Sequence, residues 1–144
     1  MRFWDSSAIV PLVCREAQSA ACRSWLRADS VIIVWALAAT EVISALARKF
    51  RDGSLAPSAF LAAKRRLAAF EAAWNEIAQY ELVRARARRL LESHPLRAAD
   101  ALHLAAALVA FEERTAGVEL VTFDGRLAEA ARKEGFETLG ETGR

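Results

Sequence analysis

Cysteine, histidine, glycine and proline are all scarce in this chain: two, two, six and three among 144 residues. Cys14 and Cys22 stand in a helical segment without the paired spacing of a zinc or redox motif, so they read as buried, reduced thiols. Neither histidine has a second histidine or cysteine at ligand spacing, which argues against a zinc centre. No linker, repeat or low-complexity tract interrupts the sequence. An excess of one charge is lacking too. Twenty cations against 18 acids leave a net charge of +2, too small to indicate nucleic acid by itself, although all but three of the cations are arginine, the better bidentate partner for phosphate. Long apolar runs are also missing. The uncharged stretches Ser30 to Thr40 and Ala101 to Phe111 fall far short of the roughly 20 residues that span a bilayer. The amino terminus enters an apolar strand without the basic start of a signal peptide, so the expectation is a cytoplasmic domain with no membrane contact.

What the chain has in quantity is apolar side chain, 54% of its residues, ample for one core. A single domain over residues 1–144 is expected, with 140–144 as a frayed tail. Short apolar runs alternate with longer segments of helical period, which predicts an α/β fold around a mostly parallel central sheet of four or five strands flanked by helices. The strands are expected at Arg2 to Trp4, Val31 to Trp35, Trp74 to Ala78 (the weakest), Glu119 to Phe123 and Phe136 to Leu139. Helices are expected at Ser7 to Glu16, Ala17 to Ala28, Leu37 to Arg51, Pro57 to Phe70, Glu81 to Glu92, Arg97 to Arg114 and Gly125 to Glu134. Asp52-Gly53-Ser54 closes one helix and Pro57 suits the first turn of the next, so residues 37–70 read as a helical hairpin. His94-Pro95 breaks the chain before another helix and puts Asp100 in its first turn.

Charge is placed oddly in this pattern. Of five aspartates, Asp5 and Asp124 each end an apolar run and Asp100 lies among alanines and leucines; Glu41 is similarly embedded in Ala38 to Leu46. A carboxylate removed from water without a partner shifts its pKa or destabilises the fold. In a parallel sheet the carboxyl ends of the strands share one edge, where ligands collect at the point of strand reversal. Asp5 and Asp124 belong to that edge, and Glu41 and Asp100 can face it. Such a set would repel itself without a hard divalent cation, and oxygen-only ligands point to Mg²⁺ or Mn²⁺.

Each acid also has a plainer explanation. Asp5 before Ser6-Ser7 and Asp124 before Gly125-Arg126 are good helix N-caps. Asp100 gains from a helix dipole and can pair with Arg97; Glu41 can be an exposed residue on a face with Ser44 and Arg48. It is the full set that favours the cation. Thr122, two residues before Asp124, shares its strand face and can hold a carboxylate, and Ser6 can add an oxygen or simply cap. His103 follows Asp100 on one helical face and reads as a buried, hydrogen-bonded histidine rather than as a ligand. Of the basic clusters at Arg48-Lys49-Arg51, Lys64-Arg65-Arg66 and Arg84 to Arg89, most read as solvated faces with local pairs such as Glu81 with Arg84 and Arg88 with Glu92. Arg48 and Arg97 are kept as contacts for a substrate phosphate.

Taken in order, these motifs resemble the PIN domain, and most of all the stand-alone VapC-type toxins of toxin–antitoxin pairs. Asp5-Ser6-Ser7-Ala8 is similar to the family's first acid motif, and Thr40-Glu41-Val42 with Ser44-Ala45-Leu46 and Arg48 to its second. Leu96 to Ala105 resembles the third and Leu120-Val121-Thr122-Phe123-Asp124 the fourth. The resemblance implies a metal-dependent endoribonuclease that hydrolyses RNA phosphodiesters and is silenced by a cognate antitoxin protein. It implies Asp5, Glu41, Asp100 and Asp124 as the catalytic acids that bind Mg²⁺ or Mn²⁺, with Ser6 and Thr122 in support, in a homodimer or a toxin–antitoxin hetero-oligomer. The hairpin at residues 37–70, with Phe50, Phe60 and Phe70, is the first surface to consider for a partner. The competing readings are a non-catalytic PIN-like module that binds RNA or protein, and a phosphoacceptor domain of receiver type. The latter needs a mid-chain aspartate after a strand and a lysine after a later one, and neither stands out.

Overall fold

In the computed structural model, which describes residues 1–141, five strands and seven helices follow one another. They are Arg2–Trp4 (β1), Ser6–Val13 (α1), Ser19–Ala28 (α2), Ile32–Trp35 (β2), Ala38–Arg51 (α3), Pro57–Ala73 (α4), Asn75–Ile77 (β3), Tyr80–Ser93 (α5), Ala98–Ala110 (α6), Glu119–Thr122 (β4), Gly125–Lys133 (α7) and Glu137–Gly140 (β5). The strands lie in the order β3-β2-β1-β4-β5, and every neighbouring pair is parallel. The chain thus builds outward from β1 through β2 to β3, then returns to the other side of β1 for β4 and β5. Strand order reverses between β1 and β4. There the loops leaving the carboxyl ends part in opposite directions and open a crevice.

The three inner strands are apolar on both faces because each face is covered by helices. Along them the side chains alternate between two cores. Phe3, Ile33, Trp35 and Leu120 pack with α5, α6 and α7. Trp4, Ile32, Val34 and Val121 pack with α1 to α4. In α6 the side chains of Ala101, Ala105, Ala106 and Ala107 are fully buried, so a helix of small residues lies close against the sheet. Close packing of this kind leaves little room; overfilling it costs about 1–3 kcal/mol, and truncating the buried Leu104 to alanine about 2–5 kcal/mol.

Local endings differ from the sequence expectation for identifiable reasons. Helix α1 stops at Val13 rather than Glu16 because side chains take its last carbonyls: Arg66 Nη1 donates to Val13 O at 3.0 Å and Ser19 Oγ to Cys14 O at 3.2 Å. Helix α6 ends at Ala110 rather than Arg114, and Glu112 and Glu113 follow in left-handed backbone (φ 51° and 63°). The short strand β3 exposes Asn75 and Glu76 and has no apolar run of its own; it forms because its backbone completes the edge of β2. Gly140 is the last residue of β5, and the Glu141 N–H donates to Thr122 O at 3.0 Å, so these two residues belong to the sheet edge rather than to a frayed tail. The rest of the expected tail, 142–144, lies outside the described residues. Cys14 and Cys22 are buried and unpaired, and burial pushes the Cys22 thiol up to about 11. Among the described residues no helix is long and apolar enough to cross a membrane.

Candidate active site

Asp5 follows the last residue of β1, and its backbone N–H still pairs with Val121 O at 3.0 Å, so its position is set by the sheet. Its side chain then caps α1, with Oδ2 accepting from Ser7 N (3.3 Å), Ser7 Oγ (2.5 Å) and Thr122 Oγ1 (3.0 Å). Asp124 stands in the same relation to β4 and α7: its Oδ1 accepts from Leu127 N at 2.9 Å, and its own N–H donates to Thr122 Oγ1 at 3.0 Å. Capping and site placement are therefore not alternatives for these two acids. Each cap sits on the switch-point crevice.

Glu41 enters from the first turn of α3 and Asp100 from the first turn of α6. All four acids line one open cavity of about 700 Å³ together with Ser6, Ser7, Arg48, Lys49 and Arg97. The structure brings together every acid singled out in the sequence, and both arginines. The expected pairing of Arg97 with Asp100 is not among the ion pairs of the described residues, and neither are the pairs Glu81 with Arg84 and Arg88 with Glu92. Arg86 instead crosses to Glu113 (2.8 Å) and Glu134 (3.4 Å).

Charge is managed at this crevice in two ways. Each acid sits at the amino end of a helix, two as caps and two in first turns. The dipole there favours an anion by about 0.3–1 kcal/mol. Repulsion nevertheless remains. The carboxyl of Asp100 is held above its ordinary value by burial first, then by the charges of Asp124 and Asp5. Burial alone would also raise Glu41, but its hydrogen bond and charge interaction with His103 and a bond from Ser6 reverse this and leave it lowered. For His103, almost wholly buried, burial opposes the charged form, yet Asp5 and Glu41 outweigh that and raise its pKa.

His103 is buried and hydrogen-bonded, as its sequence context implies, and its partner lies on a distant element. Its Nε2 bonds Glu41 Oε2 and lies 3.4 Å from Asp5 Oδ1. Ser7 was missed altogether: besides holding Asp5, its Oγ accepts from Phe123 N at 2.9 Å and so ties the β4 exit to α1. The only signal for it was the doubled serine after Asp5, which reads equally well as helix capping. Ser6 Oγ donates to Glu41 Oε2 at 2.8 Å and lies 3.5 Å from Asp5 Oδ1.

A family model described as the PIN domain matches residues 2–133. The chain belongs to the PIN domain family. It is 34% identical over 134 residues to Ribonuclease VapC49 of Mycobacterium tuberculosis (strain ATCC 25618 / H37Rv), covering 92% of this chain and 90% of that protein. Ribonuclease VapC45 of the CDC 1551 / Oshkosh strain is similar to the same degree. Ribonuclease VapC46 of strain H37Rv is 34% identical over 145 residues, 95% of each. In this PIN domain the donor set fits a hard divalent cation. Oxygen donors predominate: carboxylate oxygens of Asp5 and Glu41 and a ring nitrogen of His103 lie within 4.8 Å of one another. Protein donors concentrate on one oxygen of each inner carboxylate, Asp5 Oδ2 and Glu41 Oε2. The other oxygen of each keeps at most long contacts, which suits it to a cation.

Proposed function

We propose that this chain is a Mg²⁺- or Mn²⁺-dependent endoribonuclease, the toxin of a type II toxin–antitoxin pair. The observation that carries the reading is the convergence of Asp5, Glu41, Asp100 and Asp124, from four separate elements, on one cavity at the strand reversal. The extended likeness to proteins named Ribonuclease VapC supports the choice of RNA as substrate.

The four carboxylates would hold the ion, with Asp5 and Glu41 fixed by Ser6, Ser7, Thr122 and His103. Bound there, the ion supplies Lewis acidity toward the phosphodiester and makes water a competent nucleophile near neutral pH. Arg48, Lys49 and Arg97 give the cavity its positive side and orient the RNA backbone. Lys49 is partly committed, since its ammonium pairs with Glu16 at 2.7 Å, which leaves Arg48 and Arg97 as the stronger phosphate contacts.

An antitoxin protein is the proposed partner, in a hetero-oligomer or against a homodimer of this chain. The α3–α4 hairpin is the surface we favour: Ile43, Phe50 and Leu61 are exposed, and Phe50 stacks on Phe60 at 4.8 Å between ring centres. Phe60 and Phe70 are both partly buried against the core, so the exposed part of that surface is Ile43, Phe50 and Leu61. The receiver-type alternative is set aside by the family.

Cleavage of RNA by the purified protein tests the reading. Activity is expected with Mg²⁺ or Mn²⁺, lost with EDTA and lost in Asp5→Asn and Asp100→Asn. Cleavage that survives EDTA would refute metal dependence. RNA binding without any cleavage would favour the non-catalytic module.

A further inference from the structure

His103 joins the two helical layers at the carboxyl edge of the sheet. It rises from α6, which packs on one face, and reaches Glu41 on α3, which packs on the other, 62 residues away in sequence. Only 1% of its surface is exposed. Two roles are open to such an imidazole: metal ligand, or hydrogen-bond donor to the ligands.

The bonding of the two ring nitrogens separates them. A metal-ligating histidine nearly always donates its second N–H to a carboxylate, carbonyl or water, which fixes the tautomer. Nδ1 of His103 is buried and has no hydrogen-bond partner among the described residues. That partner is missing here, although Nδ1 goes unmet in either role, as a donor or as an acceptor, at a cost of about 1–3 kcal/mol. Nε2 decides between them: it bonds Glu41 Oε2, a contact that a ring nitrogen and a carboxylate oxygen make only with a hydrogen between them, so Nε2 donates and has no lone pair free for an ion. The bonding pattern thus selects the donor role.

Glu41 needs such a donor more than its neighbours do. Asp5 is short and gripped by Ser7 and Thr122, whereas Glu41 is a longer side chain, 30% exposed, at the open side of the cavity. Its only described bonds are those from His103 and Ser6, both to Oε2. Without them the carboxylate is free to leave Asp5, moving away from a like charge.

We propose that His103 is a positioning residue: its Nε2–H holds Glu41 beside Asp5 and so assembles that carboxylate pair before a divalent ion arrives. The proposal rests on the metal-site reading above. Its role is to orient the acids, not to coordinate the ion.

The test compares parent, His103→Leu and His103→Gln. Leucine fills the space without a donor, whereas the glutamine amide nitrogen can occupy the place of Nε2. Mn²⁺ binding to the metal-free proteins is measured by calorimetry, kcat and KM for RNA are measured at saturating Mn²⁺, and the rotamer of Glu41 is read from a crystal structure of metal-free His103→Leu. His103→Leu is expected to bind Mn²⁺ about 10–100-fold more weakly, the range seen when groups that orient ligands are removed. It should also lose kcat with KM for RNA unchanged, and show Glu41 swung away from Asp5. His103→Gln should recover most of the Mn²⁺ affinity. Parent-like Mn²⁺ binding in His103→Leu, or Glu41 still in place, overturns the proposal and leaves the metal site standing. A parent that binds no Mn²⁺ overturns the site reading itself, and this proposal with it. If His103→Leu does not fold, His103→Asn replaces it, because its amide is too short to reach Glu41, and the Gln-to-Asn contrast reads the same quantity.

Discussion

Thr122→Val separates a working hydroxyl from ordinary strand packing. Thr122 is fully buried; its Oγ1 donates to Asp5 Oδ2 at 3.0 Å and accepts the Asp124 N–H at 3.0 Å. Valine keeps the shape and removes both bonds. Losing the bond to a carboxylate costs about 1.5–3 kcal/mol, and the orphaned Asp124 N–H about 1–3 kcal/mol more. Burying a methyl in place of the hydroxyl returns about 0.8 kcal/mol. The net expectation is destabilisation by about 2–5 kcal/mol, or a thermal midpoint lower by roughly 6–15 °C for a chain of this size. Urea unfolding followed by circular dichroism measures it, with an unchanged m-value showing that both states are comparable. A cost below about 0.5 kcal/mol, the range of inert substitutions, would refute the reasoning and return Thr122 to β-branched packing.

Two further outcomes follow from the same geometry. The folded-state pKa of Asp100 lies above its ordinary 3.8, so in the folded protein its ionisation is disfavoured and stability falls as pH rises from 3.8 through the folded value. His103, also raised, acts with the same sign: its stabilising contribution is full below the unfolded value of 6.5 and is lost as pH rises through the folded one. In EDTA, Asp100→Asn should therefore melt higher than the parent at neutral pH, with the gap closing as pH falls toward 3.8; a gap independent of pH would contradict this. Gly140→Ala should destabilise by about 2 kcal/mol or more, because its φ of +106° is strained for alanine and a Cβ there would collide with the Thr122 carbonyl. A melting temperature equal to the parent's would show that the end of β5 gives way freely.

Most of the architecture was readable because it depends on local pattern. Apolar runs of strand length stood between segments of helical period, and the parallel sheet followed from that alternation. Asp5 and Asp124 were conspicuous because each terminates such a run. The polar strand β3 was faint for the opposite reason: its partner is β2, and nothing in Asn75–Ile77 itself demands extension. Ion pairing was read too locally, since helical spacing suggested neighbours for the arginines whereas Arg86 found acids 27 and 48 residues away. His103 shows the limit of spacing arguments most clearly. Its link to Glu41 joins helices on opposite faces of the sheet, and only the packing of α6 against the strands brings them within reach.

The central proposal is that Asp5, Glu41, Asp100 and Asp124 together form one site for a hard divalent cation. Mn²⁺ titration of the metal-free protein by calorimetry, beside Asp5→Asn, Glu41→Gln, Asp100→Asn and Asp124→Asn, tests it directly. Saturable binding is predicted in the parent, weakened by about tenfold or more, some 1.4 kcal/mol, in each variant. A parent that binds no Mn²⁺, or variants at Asp100 and Asp124 that bind it as the parent does, would contradict the claim.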